Sequence, residues 1–176
     1  VQHVEMARDI AGRFNHNFAE VFTLPEAVVE DGVAVLQGLD GRKMSKSYNN
    51  TIPLFLPEKQ LRKHINKIMT NLLEPGEPKD PDNSTVFQIW AAFADATETA
   101  RMRREFENGI AWGEAKKQLF ELVNGELGAA RERYDQLMND PGHIESVLRR
   151  GAERARACSV PLMDRVRDAV GISPIR

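Results

Sequence analysis

The sequence predicts a mainly α-helical protein in which a short α/β segment precedes a longer helical part. After residue 57, apolar residues recur every three or four positions, which is the period of an amphipathic helix. Before it, residues 33–36 form one short apolar run that leads into a glycine-rich loop. We therefore expect the remnant of an α/β domain followed by a helical domain.

The composition bounds the class of protein. With 176 residues, of which 41% are hydrophobic, the chain suits one globular domain or slightly more. No apolar stretch approaches the roughly 18 residues of a membrane span, and no signal peptide is recognisable, so we expect a cytoplasmic protein without a membrane partner. The single cysteine, Cys158, fits a reducing compartment. The four histidines lack metal-ligand spacing, which predicts no metal site.

Charge is distributed unevenly along the chain. The net charge of −2 argues against a dedicated nucleic-acid binder. Residues 42–67, however, contain one acid, Glu58, whereas residues 74–107 carry more acids than bases. This segregation favours one face that meets polyanions, although solvated helix faces produce weaker versions of it. The bases of the first segment are Arg42, Lys43, Lys46, Lys59, Arg62, Lys63 and Lys67.

The chain opens with a predicted helix. It has no capping residue and no initiator Met at its start, so we expect that it continues a domain begun upstream. Asn15-His16-Asn17 is expected to end it. Its apolar face comprises Val4, Ala7, Ala11, Phe14 and Phe18.

A short buried strand, Val33-Ala34-Val35-Leu36, is predicted after the turn at Asp31-Gly32. It delivers the loop Gly38–Ser47 at its carboxyl end, where open α/β sheets bind ligands. A short strand followed by an ordinary surface turn would give the same sequence of elements. The position of the loop therefore leaves two interpretations open, a ligand site and a surface turn.

The loop carries two lysines, Lys43 and Lys46, three positions apart. Its glycines allow the backbone to approach a ligand, and its serines supply small hydroxyl donors. Such a loop suits an anion whose charge grows during a reaction, above all a polyphosphate leaving group. Only two residues separate Gly38 from Gly41, which excludes a P-loop.

Three further helices are predicted after the loop. The first begins at Pro57, and the second is capped by Asn83 or Ser84 after a hinge-like, proline-rich loop at 74–83. The third begins near Glu114, is weakened at Gly125 and Gly128, where it is expected to bend or begin anew, and ends at 140–142. The expected buried positions are Leu61, Ile65, Ile68 and Met69, then Val86, Phe87, Trp90, Ala91, Phe93 and Ala94, then Leu119, Val123, Leu127, Ala130, Tyr134 and Leu137.

The last predicted helix covers residues 144–170. Pro161 is expected to kink or split it, and Gly171 to stop it. Its arginines are expected to form mostly exposed ion pairs, while a minority could meet RNA phosphates.

Three stretches now carry a resemblance to a known family. Lys43-Met44-Ser45-Lys46-Ser47 resembles the second signature motif, KMSKS, of the class I aminoacyl-tRNA synthetases. Residues 2–15 resemble the helix after the G-x-D-Q element of the bacterial tryptophanyl-tRNA synthetases, and residues 147–155 resemble that family's V-L-x-x-G-A-E-K-A. The chain is thus similar to the C-terminal half of that family. The first motif is shared within the class, whereas residues 2–15 favour tryptophan over tyrosine.

The resemblance implies an ATP-dependent ligase that activates tryptophan to its adenylate and transfers it to tRNA during protein biosynthesis. Lys43 and Lys46 would be the catalytic residues, since they would stabilise the departing pyrophosphate. Met44 and Val35 would lie against the adenine. The implied ATP-binding residues are Val35, Lys43, Met44, Ser45, Lys46 and Ser47.

The same resemblance implies the organisation and the partners. Residues 1–56 would be the C-terminal remnant of a Rossmann-like catalytic domain, and residues 57–176 an α-helical anticodon-binding domain. ATP would be a substrate, accompanied by Mg²⁺, with no tightly bound cofactor. The partners would be tryptophan, ATP, the tryptophan tRNA and a second copy in a homodimer.

One signature is missing. None of the four histidines is followed by Ile-Gly-His, so the family's first motif is not found, and its amino-acid pocket would lie before Val1. We therefore expect this chain alone to form no aminoacyl-adenylate. Two alternatives stay open: a non-catalytic helical module of synthetase descent that binds RNA or a protein, and a class I ligase for tyrosine.

Overall fold

The computed structural model describes residues 1–28 and 35–172, and within them it is mainly helical, as predicted. No strand occurs in this part of the chain, whose one β-bridge pairs Gln37 with Lys43. Of the predicted strand, Val33 and Ala34 lie outside the described residues, and Val35, expected to be buried, is 56% exposed. The helices are α1 Gln2–Asn17, α2 Glu58–Asn66, α3 Thr85–Phe93, α4 Ala96–Glu107, α5 Trp112–Met138 and α6 Pro141–Ala169.

The chain divides into two compact units. One comprises residues 32–139, and the other comprises residues 1–31 together with 140–176. These units reflect contacts within this chain and do not test the boundary expected between residues 56 and 57. That boundary stays a prediction.

The unit at 32–139 contains a continuous hydrophobic core contributed by α2, α3, α4 and α5. Phe106 is fully buried at its centre, where its ring meets those of Phe87 and Trp112 edge-on, with centroids 5.5 and 5.6 Å away. Ser84 caps α3 by accepting a hydrogen bond from the backbone N–H of Phe87, which confirms one of the two predicted caps. Met69, predicted to be buried, is 64% exposed because α2 ends at Asn66 and its period does not extend further.

The proline-rich loop at 74–83, expected to be hinge-like, is fastened to the core by hydrogen bonds. Lys79 is only 2% exposed, and its Nζ donates to the carbonyls of Glu74 and Glu77 at 2.9 and 3.0 Å. The backbone N–H of Gly76 donates to the carbonyl of Gly109 at 2.8 Å. These bonds close the loop on itself and on the end of α4.

The long helix α5 runs without interruption through Gly125 and Gly128, so no new helix begins there. Its buried residues all lie in the first half: Ala115, Leu119, Phe120 and Val123. Farther along the predicted seam, Ala130 and Tyr134 are exposed, and the Tyr134 ring stacks on Phe55 at 4.9 Å. The period therefore predicts the helix correctly but overstates its burial.

The other unit contains α1 and α6. α1 ends at Asn17 as expected, and the Asn15 side chain binds the next segment, because its Oδ1 accepts from the backbone N–H groups of Val21 and Phe22. α6 begins at an Asp140 cap, continues through Pro161 and is followed by Gly171 at φ +76°. Of the two outcomes expected at Pro161, a kink or a split, the split does not occur. No helix in the described ranges is long and apolar enough to cross a membrane.

Candidate functional site

Residues 37–50 form a closed loop whose backbone is bonded across its width. The N–H of Gly38 donates to the carbonyl of Arg42 at 2.7 Å, and that of Met44 to the carbonyl of Leu36 at 2.8 Å. The turn between them needs Gly41, whose φ of +77° is poorly accessible to residues with a side chain. The loop is therefore a small antiparallel hairpin, in which the Gln37–Lys43 bridge is the central pair.

Asn50 fills the interior of this hairpin and is 2% exposed. Its Oδ1 accepts from the N–H of Ser45 at 2.8 Å, while its Nδ2 donates to Asp40 Oδ1 at 2.7 Å and to the carbonyl of Lys43 at 3.2 Å. A Cβ at Gly38 would lie 2.4 Å from Asn50 Cγ, so this position has room only for glycine. The sequence pattern alone does not single out Asn50, although asparagine commonly binds backbone groups in turns.

Asp40 and Arg42 form an ion pair on the rim of the hairpin. The Arg42 guanidinium donates to Asp40 Oδ2 at 2.6 to 2.7 Å and lies 4.5 Å over the Tyr48 ring. The hydrogen bond from Asn50, together with those from Arg42, lowers the pKa of Asp40 to about 2. Arg42 is thus partly neutralised, although it belongs to the basic stretch.

Lys43 and Lys46 are both exposed, and neither forms an ion pair with any residue that the structure describes. Lys46 begins a short 3₁₀ turn, Lys46–Tyr48. The hydroxyls of Ser45 and Ser47 lie 2.8 Å apart and bind each other. The hairpin therefore presents two ammonium groups, without an ion-pair partner among the described residues, and a hydroxyl pair to solvent. This arrangement can receive an anion.

Met44 and Val35, the two residues expected against an adenine, border different cavities. Half-buried Met44 lines an apolar cavity of about 140 Å³ with core residues such as Leu61 and Phe93. Val35 lines an open groove of about 420 Å³ beside α3. Leu36 borders both. Their contact with one adenine stays a prediction.

The hairpin is attached to the helical core. The hydroxyl of Thr85, at the start of α3, donates to Gln37 Oε1 at 2.6 Å, and the N–H of Met69 donates to the carbonyl of Leu39 at 2.8 Å. Leu39 also packs against the hydrophobic core. The position of the two lysines is consequently set by the packed unit.

No cluster of three or more His, Cys, Asp or Glu side chains suited to a metal occurs within residues 1–28 and 35–172. Asp40 is the one carboxylate between residues 35 and 48, and Arg42 and Asn50 already bind it. The hairpin therefore does not provide a ligand set for Mg²⁺.

Comparison with known families decides the relationship. A family model described as "tRNA synthetases class I (W and Y)" matches residues 1–128, which is most of the chain. The chain belongs to this family. The class I resemblance inferred from KMSKS is thereby confirmed. The tryptophanyl-tRNA synthetase resemblance and the predicted fold class are confirmed by the relatives and the solved structure that follow.

Individual members of this class I family are similar over the whole chain. A tryptophan–tRNA ligase of Neisseria meningitidis is 56% identical over 176 residues, which are all of this chain and 52% of that protein. One of Pseudomonas aeruginosa is 55% identical over 179 residues, covering 100% of this chain and 40% of that protein. The chain thus spans between two fifths and about half of the length of these relatives.

A solved structure agrees in shape as well. The tryptophanyl-tRNA synthetase of Campylobacter jejuni, complexed with ADP and tryptophan, superposes with a TM-score of 0.79 at 42% identity. The match covers 97% of this class I chain and 54% of that one.

Proposed function

We propose that this chain is the KMSKS-loop and tRNA-binding part of a tryptophan–tRNA ligase. The observation that carries the proposal is the pair of exposed ammonium groups, Lys43 and Lys46, on a hairpin attached to the core. Neither forms an ion pair with a described residue. The family model includes both tryptophan and tyrosine enzymes. Tryptophan is favoured because relatives of that specificity are 55% and 56% identical over the whole chain.

In the proposed reaction, the carboxylate of tryptophan attacks the α-phosphorus of ATP, and pyrophosphate departs with the negative charge of the broken bond. The Lys43 and Lys46 ammonium groups stabilise that charge as it develops. Ser45 and Ser47 place hydroxyl donors beside them, 2.8 Å apart. Arg42 contributes little, since Asp40 and the Tyr48 ring already hold it.

The adenine is proposed to lie against Met44 and Val35. ATP is a substrate in this proposal and brings Mg²⁺ on its own phosphates, because the hairpin offers no uncommitted carboxylate to hold the ion. No resident cofactor is proposed. The residues of this chain act on the phosphates through ammonium and hydroxyl groups alone.

The helical part, residues 57–176, is proposed to bind the anticodon region of the tryptophan tRNA, and residues 1–56 to belong to the catalytic domain. Arg154 and Arg156 on α6 support this, since both are exposed and neither forms an ion pair with a described residue. The enzyme is proposed to work in the cytoplasm as a homodimer, with the tRNA crossing between its subunits.

The proposal is tested by ATP–pyrophosphate exchange. We expect the full-length enzyme to exchange with tryptophan and to stay near background with tyrosine, and we expect this chain alone to read background with either. Exchange driven by tyrosine would overturn the specificity and leave the family intact. Robust exchange by the isolated chain would show that the site lies elsewhere.

A further inference from the structure

We infer that Asn50 is a positioning residue whose side-chain amide sets the spacing of the Lys43 and Lys46 ammonium groups. The inference deepens the proposed function and rests on it in one respect, namely that these ammonium groups receive pyrophosphate. The geometry of the hairpin stands independently of that role.

One amide holds the peptide groups on both sides of Met44. Asn50 Nδ2 donates to the carbonyl of Lys43 at 3.2 Å, and Asn50 Oδ1 accepts from the N–H of Ser45 at 2.8 Å. Ser45 directly precedes Lys46 and is the N-terminal flank of its 3₁₀ turn. Hydrogen bonds from the single side chain of Asn50 therefore hold the backbone between Lys43 and Lys46 in place.

The same amide also reaches the other side of the hairpin. Its Nδ2 donates to Asp40 Oδ1 at 2.7 Å, and that oxygen accepts in addition from the N–H of Arg42 at 3.1 Å. The backbone carbonyl of Asn50 accepts from the N–H of Leu39 at 2.9 Å. Asn50 thus joins both arms of the hairpin, and preorganising them reduces the ordering that a bound anion would otherwise require.

The site requires an amide in one orientation. Both Asp40 Oδ1 and the Lys43 carbonyl are acceptors, so the group facing them must donate, whereas the group facing the Ser45 N–H must accept. Asn50→Asp keeps the shape and the acceptor but replaces the donor by a second carboxylate oxygen opposite Asp40. Two carboxylates this close share one proton, which raises the pKa of the pair.

This chemistry predicts that lowering the pH partly restores the hairpin in Asn50→Asp. The charged groups that face the new carboxyl are Asp40 and, through it, Arg42, while Lys43 and Lys46 are exposed on the same hairpin. Above the pKa of the pair, the two carboxylates repel and the hairpin loosens. Below it, the shared proton supplies one donor and restores part of the bonding.

The experiment compares three variants of the full-length enzyme by ATP–pyrophosphate exchange and by amide hydrogen exchange of residues 37–50. Asn50→Asp tests the donor, and Asn50→Ala removes the whole amide without any possible rescue by protonation. Asn49→Asp is the matched control, since it adds the same charge one residue earlier, where the side chain is exposed. Each is measured between about pH 4 and about pH 8, a range that begins near the ordinary pKa of an aspartate, about 4, and extends above it. The shared proton raises the pKa of the pair above that ordinary value.

We expect Asn50→Asp to lower kcat by roughly 10- to 100-fold at the alkaline end, because it removes the Nδ2 donor from two part-buried acceptors and sets a second carboxylate against Asp40. The KM for tryptophan should not change. The loss of kcat in Asn50→Asp, relative to the wild type, should become smaller as the pH falls. The loss of kcat in Asn50→Ala should stay constant with pH, and Asn49→Asp should follow the wild type. Faster amide exchange at Met44 and Ser45 should accompany the loss.

Equal kinetics for Asn50→Asp and Asn49→Asp would overturn the inference. A loosened hairpin with unchanged kcat would also overturn it, since the amide would then serve only local folding, while wild-type exchange would still uphold the proposed function. A wild type without exchange activity would instead sink the proposed function. The amide-exchange comparison would then decide by itself whether Asn50 holds the segment between the two lysines.

Discussion

The helices α5 and α6 have nearly the same length, 27 and 29 residues, but they lie in different units and differ in burial. α5 contributes four buried residues to the core at 32–139. α6 contributes none, and in its unit the one buried hydrophobic residue among those described is Ala11 of α1. Both helices show the same apolar period. Periodicity therefore specifies a helix, whereas its stability within a unit depends on what packs against it.

The hairpin belongs to the well-packed unit. Its bonds to Thr85 and Met69 link it to α3 and to the segment after α2. A site that must hold two cations at a fixed spacing is thereby supported by the part of the chain with the larger core. The contrast between the units can be tested by substitutions of the same chemistry on each side.

The largest effect is expected from a pair of leucines in the two long helices. Leu119 of α5 is 0% exposed and Leu148 of α6 is 67% exposed. Leu119→Ala should lower the free energy of unfolding by about 2–5 kcal/mol, because it removes buried surface and leaves a cavity. Leu148→Ala should change it by no more than about 0.5 kcal/mol. Urea denaturation measures both, and equal losses would contradict the difference in burial.

A pair of glycines should produce shifts of opposite sign. Gly109 has φ +85°, and a Cβ there would lie 2.4 Å from the Gly76 backbone, so Gly109→Ala should destabilise by roughly 2 kcal/mol or more. A Cβ at Gly125, in the exposed half of α5, would meet nothing within 4 Å. Gly125→Ala should therefore stabilise by up to about 1 kcal/mol. Thermal unfolding should show one Tm falling and the other rising, and a loss at both positions would refute this reading of α5.

The sequence could predict what local pattern controls. All the predicted helices appear, the Ser84 cap is correct, and Lys43 and Lys46 are presented to solvent. Contacts between residues far apart in the sequence could not be predicted. Gln37 and Thr85 are 48 positions apart, and the burial of Lys79 depends on two carbonyls that its own loop turns toward it. The role of Asn50 was missed for the same reason, since hairpin closure alone places its amide inside.

The smallest effect concerns a single carboxyl in the hairpin. The pKa of Asp40 is lowered from 3.8 to about 2, first by the Asn50 hydrogen bond and then by Arg42. Because the folded-state pKa is the lower one, this stabilisation is present above about pH 4 and is lost as the pH falls toward about 2. Asn50→Ala should move the Asp40 pKa upward in an NMR titration. The pKa of Asp82, lowered by Arg103, should stay where it is. A shift at Asp82 instead would point to a general structural change.

The central claim is that the two ammonium groups of the hairpin stabilise the departing pyrophosphate, and Lys46→Ala in the full-length enzyme tests it most directly. Lys117→Ala is the matched control, because Lys117 is an exposed lysine on α5, outside the hairpin. We expect Lys46→Ala to slow adenylate formation by about 100-fold, the loss typical of one transition-state donor, with the KM for tryptophan and the control unchanged. An unchanged rate of adenylate formation, with only weaker and less salt-dependent tRNA binding, would contradict the account.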